Sequence, residues 1–176
     1  SLADVKRRYC TTSPLAVIEL QGGWFDPWTG IGYDEVRRRL GVENMNLVTL
    51  SALAHGATIY SHYMFAGGTN WDHIGAPPVH TSYDFAAPIT EWGGISERYT
   101  AAKAIAHALA AFEETVALSE PSCDVQASEP GLLYAARSYA GAHICFLRNL
   151  SASAAATTLR VGAVQCGPVV VPPWNM

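Results

Sequence analysis

From Pro14 to Leu20 the chain is apolar at every position except Glu19. A run of this kind predicts a strand buried on both faces of a parallel sheet. A loop rich in Gly, Pro and Trp follows. Asp34 to Leu40 then reads as a short helix opened by an Asp and closed by Gly41. Between Asn46 and His55 the apolar residues Leu47, Leu50, Leu53 and Ala54 recur at helical spacing, with Gly56 at the C′ position. Ala57 to Phe65 is the next predicted strand, ending in the turn Gly67-Gly68-Thr69-Asn70. A long loop holding Pro77, Pro78 and Pro88 leads to a helix over Ser96–Leu118. Its expected buried stripe is Tyr99, Ala102, Ile105, Leu109, Phe112 and Val116. Ser1 to Arg8 reads as the end of a helix rather than a signal peptide.

Two βα units with long loops after their strands favour a parallel α/β sheet, and that loop placement is the habit of a (β/α)8 barrel. Composition shifts at Ser119-Glu120-Pro121-Ser122, so residues 1–118 and 119–176 are expected to be separate parts. The second part carries short β-like runs at Leu132–Tyr139, Ala142–Leu150, Thr157–Val161 and Val169–Val171, with Ala140-Gly141 as a hairpin turn. It reads as a linker and the first strands of an all-β domain.

Composition narrows the function. Of 176 residues, 49% are hydrophobic and 15% charged, which suits a packed protein rather than a disordered one. The net charge of −4, with no basic run beyond Arg37-Arg38-Arg39, gives nucleic acid or an anionic membrane nothing to bind. That arginine run is expected on the exposed end of a short helix. No apolar stretch is long enough to cross a membrane. Cys10, Cys123, Cys145 and Cys166 are too dispersed for a zinc site and are expected to be mostly buried thiols. None of the six histidines stands at metal-ligand spacing with a suitable carboxylate, so neither metal nor cofactor is expected. Asn149-Leu150-Ser151 matches a glycosylation sequon and reads as coincidence.

The chemistry concentrates at Val17–Trp28, "VIELQGGWFDPW". A carboxylate near the end of a buried strand is costly unless it is paired or used. The glycines after it are expected to bend the backbone and leave room for a ligand. Trp24 and Trp28 offer flat apolar faces for the C–H side of a sugar ring. A carboxylate, aromatic rings and amide or hydroxyl groups (Asn70, Tyr63, Tyr83) together suit glycoside hydrolysis. On chemistry alone, a half-exposed strand-end glutamate of an ordinary α/β protein remains open.

Three segments in register, Glu19 with "GGWFDPW", "YMFAGGTN" (Tyr63–Asn70) and "TSYDFAAPITEWG" (Thr81–Gly93), resemble the signature segments of glycoside hydrolase family 35, the retaining β-galactosidases. The resemblance covers roughly residues 14 to 118. It implies that this part is the last two βα units of a (β/α)8 barrel and that the β tail begins the following domain. It further implies that Glu19, on the seventh barrel strand, is the nucleophile. Tyr63, ending the eighth strand, Tyr83 in the loop beyond, and Trp24 would line the galactose pocket. Asn70 and Asp84 fall on motif positions that shape loops. Gln21 departs from the pattern, since many members carry an aromatic residue there.

Retaining hydrolysis needs a second carboxyl group about 5–5.5 Å from the first. In the family it sits in an Asn-Glu pair on the fourth strand, and no Asn-Glu dipeptide occurs here. A barrel takes about 250 residues. The chain therefore reads as a piece of a larger enzyme, inactive alone, whose partner is the N-terminal barrel half of the same protein. The alternative is a non-catalytic sugar-binding or structural remnant of the same fold.

Overall fold

The structure is a computed structural model and describes residues 2–9, 11–72, 74–75 and 80–176. Ser1, Cys10, His73, Pro77 and Pro78 of the sequence reading lie outside the described residues. The content is mixed α/β. In chain order the elements are α1 (Leu2–Tyr9), β1 (Ala16–Gln21), α2 (Tyr33–Ala54), β2 (Ile59–Tyr63), β3 (Gly68–Thr69), β4 (Ser82–Tyr83), α3 (Glu97–Ala111) and α4 (Glu113–Leu118). These are followed by β5 (Glu120–Pro121), β6 (Val125–Ala127), a 3-10 turn at Pro130–Leu132, β7 (Leu133–Tyr139), β8 (Ala142–Leu147), β9 (Ala155–Val161) and β10 (Val164–Val171). No described helix is long and apolar enough to cross a membrane. The chain divides into two compact units, residues 1–17, 49–60 and 108–176 in the first, and 18–48 and 61–107 in the second.

In the first unit the β strands form two antiparallel sheets, β10-β9-β6 and β5-β7-β8. The β7–β8 hairpin turns at Ala140-Gly141, both with positive φ, as a two-residue type I′ turn requires. Val125, Leu132, Phe146 and Val171 are buried. So is the side chain of Asn149, whose amide donates to the carbonyls of Ser153 (2.8 Å) and Val171 (3.1 Å). The sequon asparagine is thus committed inside the folded chain. Arg137 of β7 is buried too. Its Nε donates to the Ser119 hydroxyl at 3.0 Å and its Nη2 to the Ser119 carbonyl.

The end of α2 shows how a local pattern becomes a local structure. Gly56 takes φ 91°, its N–H donates to Leu53 O (2.9 Å), and Ala57 N–H donates to Ala52 O (3.1 Å). These two bonds make a Schellman cap at the residue the spacing predicts. Arg137 Nη1 stands 2.9 Å from where a Cβ on Gly56 would sit. Gly56→Ala is expected to destabilise the protein by about 1–2 kcal/mol, from the left-handed φ and this crowding. Urea unfolding of the full-length protein checks it, and an unchanged midpoint would refute it.

In several places the structure departs from the pattern. The β1 strand pairs with β2 in a two-stranded sheet and is not buried on both faces: Leu20 is buried, whereas Ile18 is 75% exposed. With only one strand beside it among the described residues, Val17 is half-buried and Ile18 is left exposed. The helix break expected at Gly41 is made, by contrast: its φ 61°, ψ −176° is not helical, and two helices meet there within Tyr33–Ala54. The predicted Ser96–Leu118 helix breaks at Phe112 (φ −129°, ψ 24°), which is exposed rather than part of a buried stripe. Phe112 stands between α3 and α4, where the helical period no longer turns it inward. The thiols are also less buried than expected, since Cys123 and Cys166 are exposed and Cys145 half-buried. Cys166 lies on β10, which carries the exposed residues Val164 and Val170.

Candidate active site

All four residues singled out by sequence lie in the second unit. Glu19 is exposed on β1, two residues before the strand ends at Gln21. Its neighbour Leu20 points the other way, into the core, as strand alternation dictates. Tyr63 is the last residue of β2, and Met64 turns the chain with φ 60°. Tyr83 ends β4, whose pairing with β3 sets Gly68 opposite Tyr83. The hydroxyls of Tyr63 and Tyr83 meet at 2.6 Å.

Tyr83's phenol is pushed up to about 12. Burial is the first cause, followed by the hydrogen bond to Tyr63 and then by unfavourable charge interactions with Tyr63, Tyr33 and Glu19. The Tyr83 hydroxyl is neutral near pH 7, as an unshifted phenol would also be, and the Glu19 carboxylate is near enough to add the smallest of these contributions. Trp24 is 53% exposed, and its backbone N–H donates to Phe85 O at 3.0 Å.

Phe85 stands at the middle of this cluster and is 0% exposed. Its ring meets Phe25 (5.0 Å, 85°) and Tyr63 (5.3 Å, 79°) edge to face, Tyr83 nearly parallel (6.2 Å, 9°) and Trp24 at a tilt (6.2 Å, 45°). Both Phe85 (φ 60°) and Ala86 (φ 52°) are left-handed without being glycine. Such residues cost about 1–3 kcal/mol each and persist only where their surroundings over-determine them. Here Asp84 supplies much of that constraint. It is buried, it accepts from the N–H groups of Ala86 (3.0 Å) and Glu91 (2.8 Å), and it pairs with Arg37. The arginine run is therefore split: Arg38 and Arg39 bind Glu35 at the exposed surface, while Arg37 reaches inward to Asp84.

The glycines after Glu19 do not open space for a ligand. An ideal Cβ on Gly23 would lie 1.8 Å from Phe85 O, and one on Gly22 would lie 2.7 Å from Met45 Cε and 3.3 Å from Arg98 Nη2. They are glycines because backbone and core crowd against them. Arg98 is 1% exposed, donates to Gly41 O (3.1 Å), and has its guanidinium pushed down to about 10 by burial and then by repulsion from Arg37. Asn70 shapes its loop, with its side chain donating to His80 O and its N–H to Thr81 O, each at 2.7 Å.

Phe85, Phe25 and Arg98 were not singled out by the sequence. An apolar run inside a loop (Phe85-Ala86-Ala87-Pro88) was the available signal for the first. Among the described residues, no group of three or more His, Cys, Asp or Glu side chains is arranged to hold a metal ion.

The family model for glycosyl hydrolases family 35 matches residues 1–109. The chain belongs to that family. Among curated relatives, a probable β-galactosidase C of Neosartorya fischeri is 39% identical over 99 residues, which is 56% of this chain and 10% of the relative. A probable β-galactosidase C of Talaromyces marneffei is 40% identical over 92 residues, 52% of this chain and 9% of the relative. One from Sclerotinia sclerotiorum is 39% identical over 97 residues, 55% of this chain and 10% of the relative. The match thus spans about a tenth of the length of these relatives.

Proposed function

We propose that the chain is part of a retaining β-galactosidase, with Glu19 as its nucleophile. On this reading residues 1–118 are the C-terminal portion of a (β/α)8 barrel, its last two βα units. Residues 119–176 are the linker and first strands of a β domain. The observation that carries the reading is the convergence, in a family 35 chain, of the Tyr63–Tyr83 hydroxyl pair with Glu19 in electrostatic reach and Trp24 on the same buried ring.

The chemistry is a double displacement. Glu19 attacks the anomeric carbon of a terminal β-galactoside as the aglycone leaves with a proton from a second carboxyl group. That acid comes from the N-terminal barrel half of the same protein. The same group, now a base, takes a proton from the water that releases galactose from Glu19. Tyr63 and Tyr83 donate hydrogen bonds to the ring hydroxyls, or through one another to Glu19. Trp24, half exposed, offers its face to the C–H side of the sugar.

The direct test is turnover of an aryl β-galactoside by the full-length protein beside the same assay on residues 1–176, which should be inactive. Galactose binding without turnover by the full-length protein would favour a non-catalytic sugar-binding module instead.

Removing either tyrosine hydroxyl should weaken transition-state binding by about 1–3 kcal/mol. Because the two hydroxyls share one hydrogen bond, the Tyr63→Phe/Tyr83→Phe double variant should lose less than the sum of the single losses. Steady-state kcat/KM of the three variants checks this. Wild-type values for both single variants would remove the tyrosines from the pocket.

A further inference from the structure

We infer that Phe85 is a positioning residue for the sugar pocket, acting through Tyr63, Tyr83 and Trp24 without touching the substrate; the inference rests on the β-galactosidase reading above. Phe85 is fully buried, so no sugar can reach its ring. Yet the ring meets Trp24 and both tyrosines, and its carbonyl receives the Trp24 N–H at 3.0 Å. Three side chains that arrive from separate stretches of the chain are thereby referred to one residue.

The backbone separates this arrangement from ordinary core packing. A phenylalanine that only fills volume has no need of φ 60°, and here the next residue, Ala86, is left-handed as well. Strain of this kind gathers where a geometry is used. The corner is fastened from both sides. Asp84 accepts the Ala86 N–H, Ala87 N–H returns to Asp84 O at 3.0 Å, and Gly23 packs so closely that no Cβ would fit between its backbone and Phe85 O. With the corner fixed, the ring confines the Tyr83 side chain by parallel stacking and Tyr63 by an edge contact. That double constraint holds their hydroxyls at 2.6 Å from each other. Without the ring, each tyrosine regains rotamer freedom that substrate binding would have to remove again.

The test is a double-mutant cycle in the full-length protein, with an aryl β-galactoside as substrate and active sites counted by the burst of aryl leaving group. Phe85→Leu is expected to lower kcat/KM per active site by roughly 10–100-fold with the cooperative unfolding transition retained, and in a Tyr83→Phe background by less than about threefold. Phe85→Met, closer in volume, serves as the second variant. The same fold loss in both backgrounds, or wild-type kinetics in either folded variant, would overturn the inference. So would failure of both variants to fold, since Phe85 would then be core and nothing more. The β-galactosidase reading fails separately and visibly: wild-type protein without turnover, or Glu19→Gln as active as wild type, sinks it and takes this inference with it.

Discussion

Glu19→Gln in the full-length protein should lose at least about four powers of ten in kcat on an activated aryl β-galactoside, because a covalent route without its nucleophile has no substitute of similar speed. At about 1.4 kcal/mol per tenfold, that is roughly 5.5 kcal/mol of barrier. The fold should survive. Glu19 is exposed on β1, and its replacement by a neutral amide of the same shape leaves no cavity. Binding of galactose should fall far less than the rate, since Tyr63, Tyr83 and Trp24 are untouched. Burst kinetics sharpen the test, as the aryl burst that reports a glycosyl-enzyme should vanish. A variant keeping more than about a tenth of wild-type activity would rule Glu19 out as the nucleophile.

The largest effect on stability is expected at Gly23. An alanine there would put its Cβ 1.8 Å from Phe85 O and 3.0 Å from Phe85 C, both backbone atoms that cannot swing aside as a side-chain tip could. Either the Gly23 backbone retreats, breaking the Trp24 N–H bond to Phe85 O, or the left-handed corner at 85–86 is forced out of shape. Overpacking usually costs about 1–3 kcal/mol, and a clash with fixed backbone belongs at or above the top of that range. Gly68→Ala is the control, since its added methyl meets nothing within 4 Å. Denaturant unfolding of the two variants should separate them by about 3 kcal/mol. Equal midpoints would mean that the close approach of Gly23 to Phe85 is not made.

Local chemistry was legible in the sequence, and long-range packing was not. The Gly56 cap could be read because a Schellman end depends only on adjacent residues, here Ala52 to Ala57, and the Ala140-Gly141 turn is local in the same way. The candidate site residues rest on motif resemblance rather than on burial or periodicity. Glu19 proved exposed, where an apolar run suggests a buried strand. The roles of Gly22 and Gly23 are hidden from the sequence for a related reason. A glycine looks the same in sequence whether it yields space to a ligand or to another backbone, and the chain segment that crowds Gly23 lies some sixty positions away at Phe85. Phe85 itself gives no periodic signal, because it sits in a loop with a backbone conformation that no hydrophobic pattern encodes. Phe112 shows the converse: a helical pattern runs straight through it while the helix does not.

Asp84 fastens both ends of the turn that follows it, at Ala86 and at Glu91, and Thr90 and Gly94 then close on each other through Thr90 N–H to Gly94 O (2.8 Å) and Gly94 N–H to Thr90 Oγ1 (2.9 Å). What projects beyond those fastenings is Trp92, 83% exposed. The loop is in effect a bracket with a free tip. Mutational drift or a designed library at position 92 can change what the protein shows to its surroundings while Tyr83, on the fastened side, keeps its place. Variety and precision are separated here by a single carboxylate.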